Sequence, residues 1–141
     1  MGMRAKKQTN PQLTIRIQMN SRPLFTDLCT RAKNLYNYAT YQVRQEFFLT
    51  GKWLQYTTLY HKLKHEPVYL ALKEISDSYL PQQVLRQVEQ VWRSYFNGLK
   101  AWNKDPSKYL GRPCLPGYKP KNSLHMLLKG SLDSYNSYCQ K

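Results

Sequence analysis

The first pattern along the chain is an alternation. Leu13, Ile15, Ile17 and Met19 alternate with Thr14, Arg16 and Gln18, and a period of two predicts a short strand with one apolar face. Residues 1–11, polar and basic and ending at Asn10-Pro11, read as a tail before it. Ser21-Arg22-Pro23 stops the strand. Ser21 is a candidate N-cap, and Pro23 suits the first turn of the helix that follows.

From Leu24 to Leu49 the period changes to that of a helix. Phe25, Leu28, Cys29, Ala32, Leu35, Tyr36, Ala39, Val43 and Phe47 fall on one face, as the side of a helix turned toward a core must. Thr50-Gly51 predicts its end. A shorter helix is expected over 57–64, with Leu59, Tyr60 and Leu63 as its apolar side. Glu66-Pro67 breaks that pattern, and residues 68–72 suggest one or two further turns. The best-defined element begins between Ser78 and Pro81 and runs to Trp102. Its apolar stripe is Val84, Leu85, Val88, Val91, Trp92, Tyr95, Leu99 and Trp102, and Asn103 to Pro106 close it. Residues 106–123 are rich in Pro, Gly and Lys and predict an extended connector. Leu124 to Leu128 is a candidate strand, and the remainder reads as a tail.

These elements give a mainly α protein in three parts: a basic tail and first strand over 1–20, a helical bundle over 21–105, and a connector with its tail over 106–141. The strand is the odd member. A lone strand has no stability in water, so either it pairs with 124–128 or its sheet is incomplete in this chain.

Composition changes the picture through charge. The chain has 22 basic residues against 8 acidic ones, a net charge of +14. Such a bias says little about fold but much about partners, and a polyanion relieves the self-repulsion best. No stretch approaches the roughly 20 apolar residues of a membrane span. Arg4, Lys6 and Lys7 are followed by no apolar run of a signal peptide. Cys29, Cys114 and Cys139 are odd in number and far apart, which fits reduced thiols in a cytoplasmic protein rather than a disulfide framework or a zinc site.

The charge is patterned on the last long helix. At about 100° per residue, Arg86, Arg93, Asn97, Lys100 and Lys104 lie within about 40° of one line, opposite the apolar stripe. Only Glu89 sits at its edge. A row of cations one or two turns apart can follow a phosphate backbone; an ordinary solvated face usually carries both signs of charge. On the first helix Lys33, Asn37 and Arg44 form a shorter line beside the core face. The connector adds Lys108, Arg112, Lys119 and Lys121, with Tyr109 and Tyr118 between them. Basic residues interleaved with tyrosines suit an RNA backbone and stacking on exposed bases. These twelve residues are the candidate nucleic-acid contacts.

Catalytic chemistry is not legible. His61 and His65 stand four apart, a spacing that can hold zinc, but a third ligand is not evident. The eight acidic residues are scattered, whereas a two-metal nuclease needs clustered carboxylates. No Gly-rich phosphate loop and no nucleophile with a supporting base stands out. The expectation is a non-enzyme without cofactor or metal, with RNA as its partner and DNA as a second candidate. Membranes and small-molecule substrates are not expected.

Three stretches, in order, resemble the front of TnpB (OrfB) proteins, the insertion-sequence nucleases related to type V CRISPR effectors. They are Cys29-Thr30-Arg31-Ala32-Lys33-Asn34-Leu35-Tyr36-Asn37 with Val43-Arg44-Gln45-Glu46-Phe47, then Pro81-Gln82-Gln83-Val84-Leu85-Arg86-Gln87-Val88, then Gly111-Arg112-Pro113-Cys114-Leu115-Pro116-Gly117-Tyr118-Lys119. The tryptophan-rich stretch ending at Asn103-Lys104-Asp105-Pro106 fits the same resemblance, which covers roughly residues 12–121. It implies that the first strand belongs to a wedge-type β domain and that the helices form a recognition lobe inserted into it. Whole proteins of that family are RNA-guided DNA endonucleases that hold the guide heteroduplex by shape and backbone. After Pro120 the resemblance fades, and the family's catalytic carboxylates and zinc cysteines have no counterparts. The expectation is therefore an amino-terminal portion that grips guide-type RNA or a heteroduplex without cutting. A small basic DNA-binding regulator and a transposase remnant without function are the alternatives.

Overall fold

The computed structural model describes residues 23–121, and these form a helical bundle. Four helices follow one another: α1 (Pro23–Thr50), α2 (Tyr56–Leu63), α3 (Pro67–Ile75) and α4 (Tyr79–Lys104). A single 3₁₀ turn at Pro106–Lys108 leads into an irregular connector. The described residues contain no strand. The expected strands at 13–19 and 124–128, and with them the wedge-type β domain, lie outside the described residues.

Local chemistry sets the helix ends. Gly51 adopts φ 73°, where a side chain would be strained, and its N–H reaches the Phe47 carbonyl at 2.9 Å; this is the left-handed stop that Thr50-Gly51 predicts. Pro67 occupies the first turn of α3, where its missing N–H costs nothing. That placement turns the expected one or two turns into a helix of 9 residues. At the start of α4 the Asp77 carboxylate accepts the N–H groups of Tyr79 and Leu80 at 3.0 and 2.9 Å. Pro81 follows in the same first turn, where an N–H would have no partner within the helix.

Two long helices and two short ones share one core. α1 packs against α3 and α4, and α4 also receives α2 and α3. Most of the buried side chains come from the predicted stripes: Leu28, Ala32, Leu35, Tyr36, Ala39 and Val43 from α1, Leu59 and Leu63 from α2, and Val84, Leu85, Val88 and Trp92 from α4. Leu80, outside the predicted stripe, is buried with them, while Phe25, Cys29, Phe47 and Tyr60 are only partly buried. Tyr69 and Leu72 complete it from α3. Trp92 is fully buried, with the rings of Phe47, Phe96 and Tyr95 at centroid distances of 5.6, 6.1 and 6.2 Å. Beyond Trp92 the stripe of α4 is only half-covered. Tyr95, Leu99 and Trp102 are partly buried, because the connector rather than another helix lies over this end. A Cβ added to Gly98 would meet Pro113 Cγ at 3.7 Å, which marks that close approach.

Arg31 ties α1 to α3. Its guanidinium donates to the Ala71 carbonyl at 2.8 Å and pairs with Asp27 at 3.1 Å and Glu74 at 3.4 Å. The Asp27 hydrogen bond, ahead of the other contacts, raises its pKa further above the ordinary value. Among the described residues no helix is long and apolar enough to cross a membrane.

Candidate nucleic-acid interface

The predicted cations separate into two groups. Arg86, Arg93, Asn97, Lys100 and Lys104 are all exposed along α4, on the side away from Val88 and Trp92. The Arg86 guanidinium lies over the Tyr56 ring, 4.1 Å from its centroid, an arrangement that holds the cation in place and leaves its charge uncompensated. Arg93 pairs with Glu89 at 3.4 Å. Glu89 is itself mostly covered and accepts the N–H of Tyr56 at 3.2 Å, at the start of α2. The single acidic residue at the edge of the α4 line is thus turned toward α2. Asn97, Lys100 and Lys104 form no ion pair among the described residues.

The second group holds the connector. Lys33 is buried, and its Nζ donates to the Lys121 carbonyl. Asn37 Nδ2 donates to the Lys119 carbonyl at 3.0 Å, while the Lys119 N–H donates back to Asn37 Oδ1 at 2.8 Å. Arg44 donates from Nη1 to the carbonyl of the buried Pro116 at 2.7 Å. The line read on α1 is therefore a ladder of side chains reading the backbone of an extended segment. Sequence alone gave its spacing but not its partner, because the hydrogen bonds span separations of 72 to 88 residues.

The connector's own cations point elsewhere. Lys119 Nζ sits 4.9 Å from the Tyr36 ring centroid, and Arg112 lies 6.0 Å from that of Trp102. Lys108 is exposed and pairs with Asp105 at 3.4 Å. The Ser107 hydroxyl and N–H hydrogen-bond the Asp105 carboxylate; the hydroxyl is the chief reason its pKa lies below the usual value. Lys121 is exposed at the end of the described segment.

Arg44 and Tyr118 stand out in the sequence, but Phe48 and the meeting of all three do not. The Arg44 guanidinium stands between two rings, 5.6 Å from the Phe48 centroid and 5.4 Å from the Tyr118 centroid. Both rings are half-exposed or more. Phe48 lies off the apolar stripe of α1, and that was the available signal.

His61 and His65 are both exposed, and His61 rests edge-on against Tyr60 at 5.5 Å. Among the described residues no three His, Cys, Asp or Glu side chains come together as a metal-binding group. Compared with protein-family models, with curated proteins and with solved structures, the chain finds no match.

Proposed function

We propose that this chain is a nucleic-acid-binding module akin to the front of TnpB-type transposon proteins, gripping guide-type RNA or an RNA–DNA heteroduplex without nuclease activity of its own. The observation that carries the reading is the exposed face of α4. Arg86, Arg93, Lys100 and Lys104 project from one side of a helix whose other side is anchored by Trp92. A rigid rod with cations one or two turns apart matches a phosphate backbone and reads no bases. The net charge of +14 supplies long-range attraction for the same partner. In this reading Lys33 and Asn37 act indirectly, by seating the connector beside α1, and Arg112, Lys119 and Lys121 extend the contact surface along it. The relation to TnpB rests on the quoted sequence stretches.

The test is binding of a structured RNA across a salt series. Phosphate neutralisation makes the logarithm of the binding constant fall linearly with that of salt, by about 0.7 to 0.9 per phosphate contacted. A steep slope is expected. A flat response, or no binding at low salt, overturns the proposal.

A further inference from the structure

The Arg44 cluster is separate from the α4 face and presents a different chemistry. Phe48 is 60% exposed and Tyr118 50% exposed, and the two rings flank one guanidinium. What sets this pair apart from the other exposed tyrosines is the shared cation, which a hydrogen bond from Arg44 to the Pro116 carbonyl fixes in place. Neither Arg44 nor the neighbouring Lys119 forms an ion pair among the described residues. The patch therefore offers two flat apolar faces and unbalanced positive charge within one short reach.

We propose that Phe48 and Tyr118, held on either side of Arg44, form a stacking platform for unpaired bases of a single-stranded nucleic-acid segment. This rests on the reading of the chain as a nucleic-acid binder and assigns a second, strand-type contact to it. Base faces are available for stacking only where they are unpaired, since in a duplex each is covered by its neighbours. Stacking on aromatic rings tolerates any base, and the cation beside the rings meets the adjoining phosphate. A purely apolar partner would leave the Arg44 charge uncompensated on docking, which a polyanion does not. The α4 rod, with its regularly spaced cations and no exposed ring beyond Tyr79, suits a paired backbone instead.

The experiment compares two probes on the full chain: a short unstructured oligonucleotide carrying a fluorescent adenine analogue quenched by stacking, and a blunt RNA duplex. The variants are Phe48→Leu and Tyr118→Leu, singly and together, which keep apolar bulk and all charges but remove the flat rings. The expected result is a loss of roughly tenfold in single-strand affinity per ring. Quenching should disappear, while duplex affinity and the salt slope stay unchanged. Tyr118→Phe should bind and quench like the parent. If the double Leu variant binds and quenches the single strand as the parent does, the platform is overturned. If the parent binds duplex with a steep salt slope but not the single strand, the platform falls and the α4 reading stands. If the parent binds neither probe, both fall.

Discussion

The side-chain amide of Asn37 pairs in both directions with the backbone of Lys119, donating at 3.0 Å and accepting at 2.8 Å. An amide side chain can do this because it carries a donor and an acceptor side by side, as a peptide group does. A position on α1 thus serves as a one-residue strand edge for a connector 82 residues away. Lys33 and Arg44 continue the ladder on either side.

The first prediction follows from that pairing. Asn37→Ala removes both bonds, each worth about 0.5 to 1.5 kcal/mol net, without touching the core stripe. The helices should keep their content and lose little melting temperature, while the connector loosens. The Lys119 amide should lose protection from hydrogen exchange, and limited chymotrypsin digestion should cut faster after Tyr118 in the loosened connector. Unchanged protection at Lys119 would mean that the reciprocal pair does not hold the segment.

The second concerns the Trp92 anchor. Its indole is fully buried and its Nε1 has no hydrogen-bond partner. Trp92→Ala leaves a cavity among Phe47, Tyr95 and Phe96, at a cost of about 3 to 5 kcal/mol. Urea denaturation followed by circular dichroism reads this as a drop in the midpoint with little change in slope. A loss below about 1 kcal/mol, the scale of an ordinary surface substitution, would show that the aromatic cluster is not the core of the α1–α4 contact.

Much of this core is legible in the sequence. Leu28, Leu35, Val43, Val84, Val88 and Trp92 repeat with the helical period, and periodicity reports which face a helix buries. The far end of α4 is less legible. Tyr95, Leu99 and Trp102 belong to the same stripe and are only partly buried, because periodicity cannot say how far along a helix its neighbours extend. Val91, at mid-helix, is 38% exposed because it lies at the angular edge of the stripe. The sequence also presents Lys33, Asn37 and Arg44 as a polar line and leaves its use open. A cation that meets a phosphate and one that meets a carbonyl have the same spacing, and only the path of the connector separates them. The cap of α4 shows a smaller gap: Ser78 and Pro81 bracket the helix start, but the accepting oxygens belong to Asp77.

A third prediction tests that cap. Asp77 accepts two N–H groups that would otherwise have no helical partner. Asp77→Ala should destabilise the bundle by about 0.5 to 2 kcal/mol, whereas Asp77→Asn, which retains an accepting oxygen, should cost less. Thermal melts of the two variants give the comparison. Equal losses would indicate that charge at the helix start matters more than the hydrogen bonds.

Tyr69 supplies a pH prediction. Burial, reinforced by neighbouring Tyr60 and Tyr56, pushes its phenol from 10.0 up to about 12. A phenol whose pKa is higher folded than unfolded contributes stability that is full below the unfolded value and is lost as pH rises through the folded one. Between about pH 10 and 12 the parent should therefore lose stability relative to Tyr69→Phe, which cannot ionise. Below that window the difference between them should not vary with pH from this cause. Lysine deprotonation affects both proteins alike, so the comparison isolates the phenol. Denaturation midpoints measured across the window check it, and parallel curves would contradict the burial argument.

The last prediction separates the charged side of α4 from the side that folds. Replacing Arg86, Arg93 and Lys100 together with Gln removes three cations from exposed positions. The folding cost comes from two contacts. Arg86 loses its place over Tyr56, worth about 0.5 to 1 kcal/mol at an exposed site. Arg93 loses its pair with Glu89, worth about 0 to 1 kcal/mol for such a surface bridge. Glu89 keeps its hydrogen bond to the Tyr56 N–H, so the α2–α4 junction should survive and the variant should stay folded. If each cation meets a phosphate, the salt slope for structured RNA should fall by roughly two to three units, with affinity falling at every salt concentration. Trp92→Ala should fail in the opposite way, by losing folding stability whether or not RNA is present. A folded triple variant that binds RNA with the parent's slope would remove α4 from the interface. A variant that unfolds would assign the row of charge to the structure through Tyr56 and Glu89.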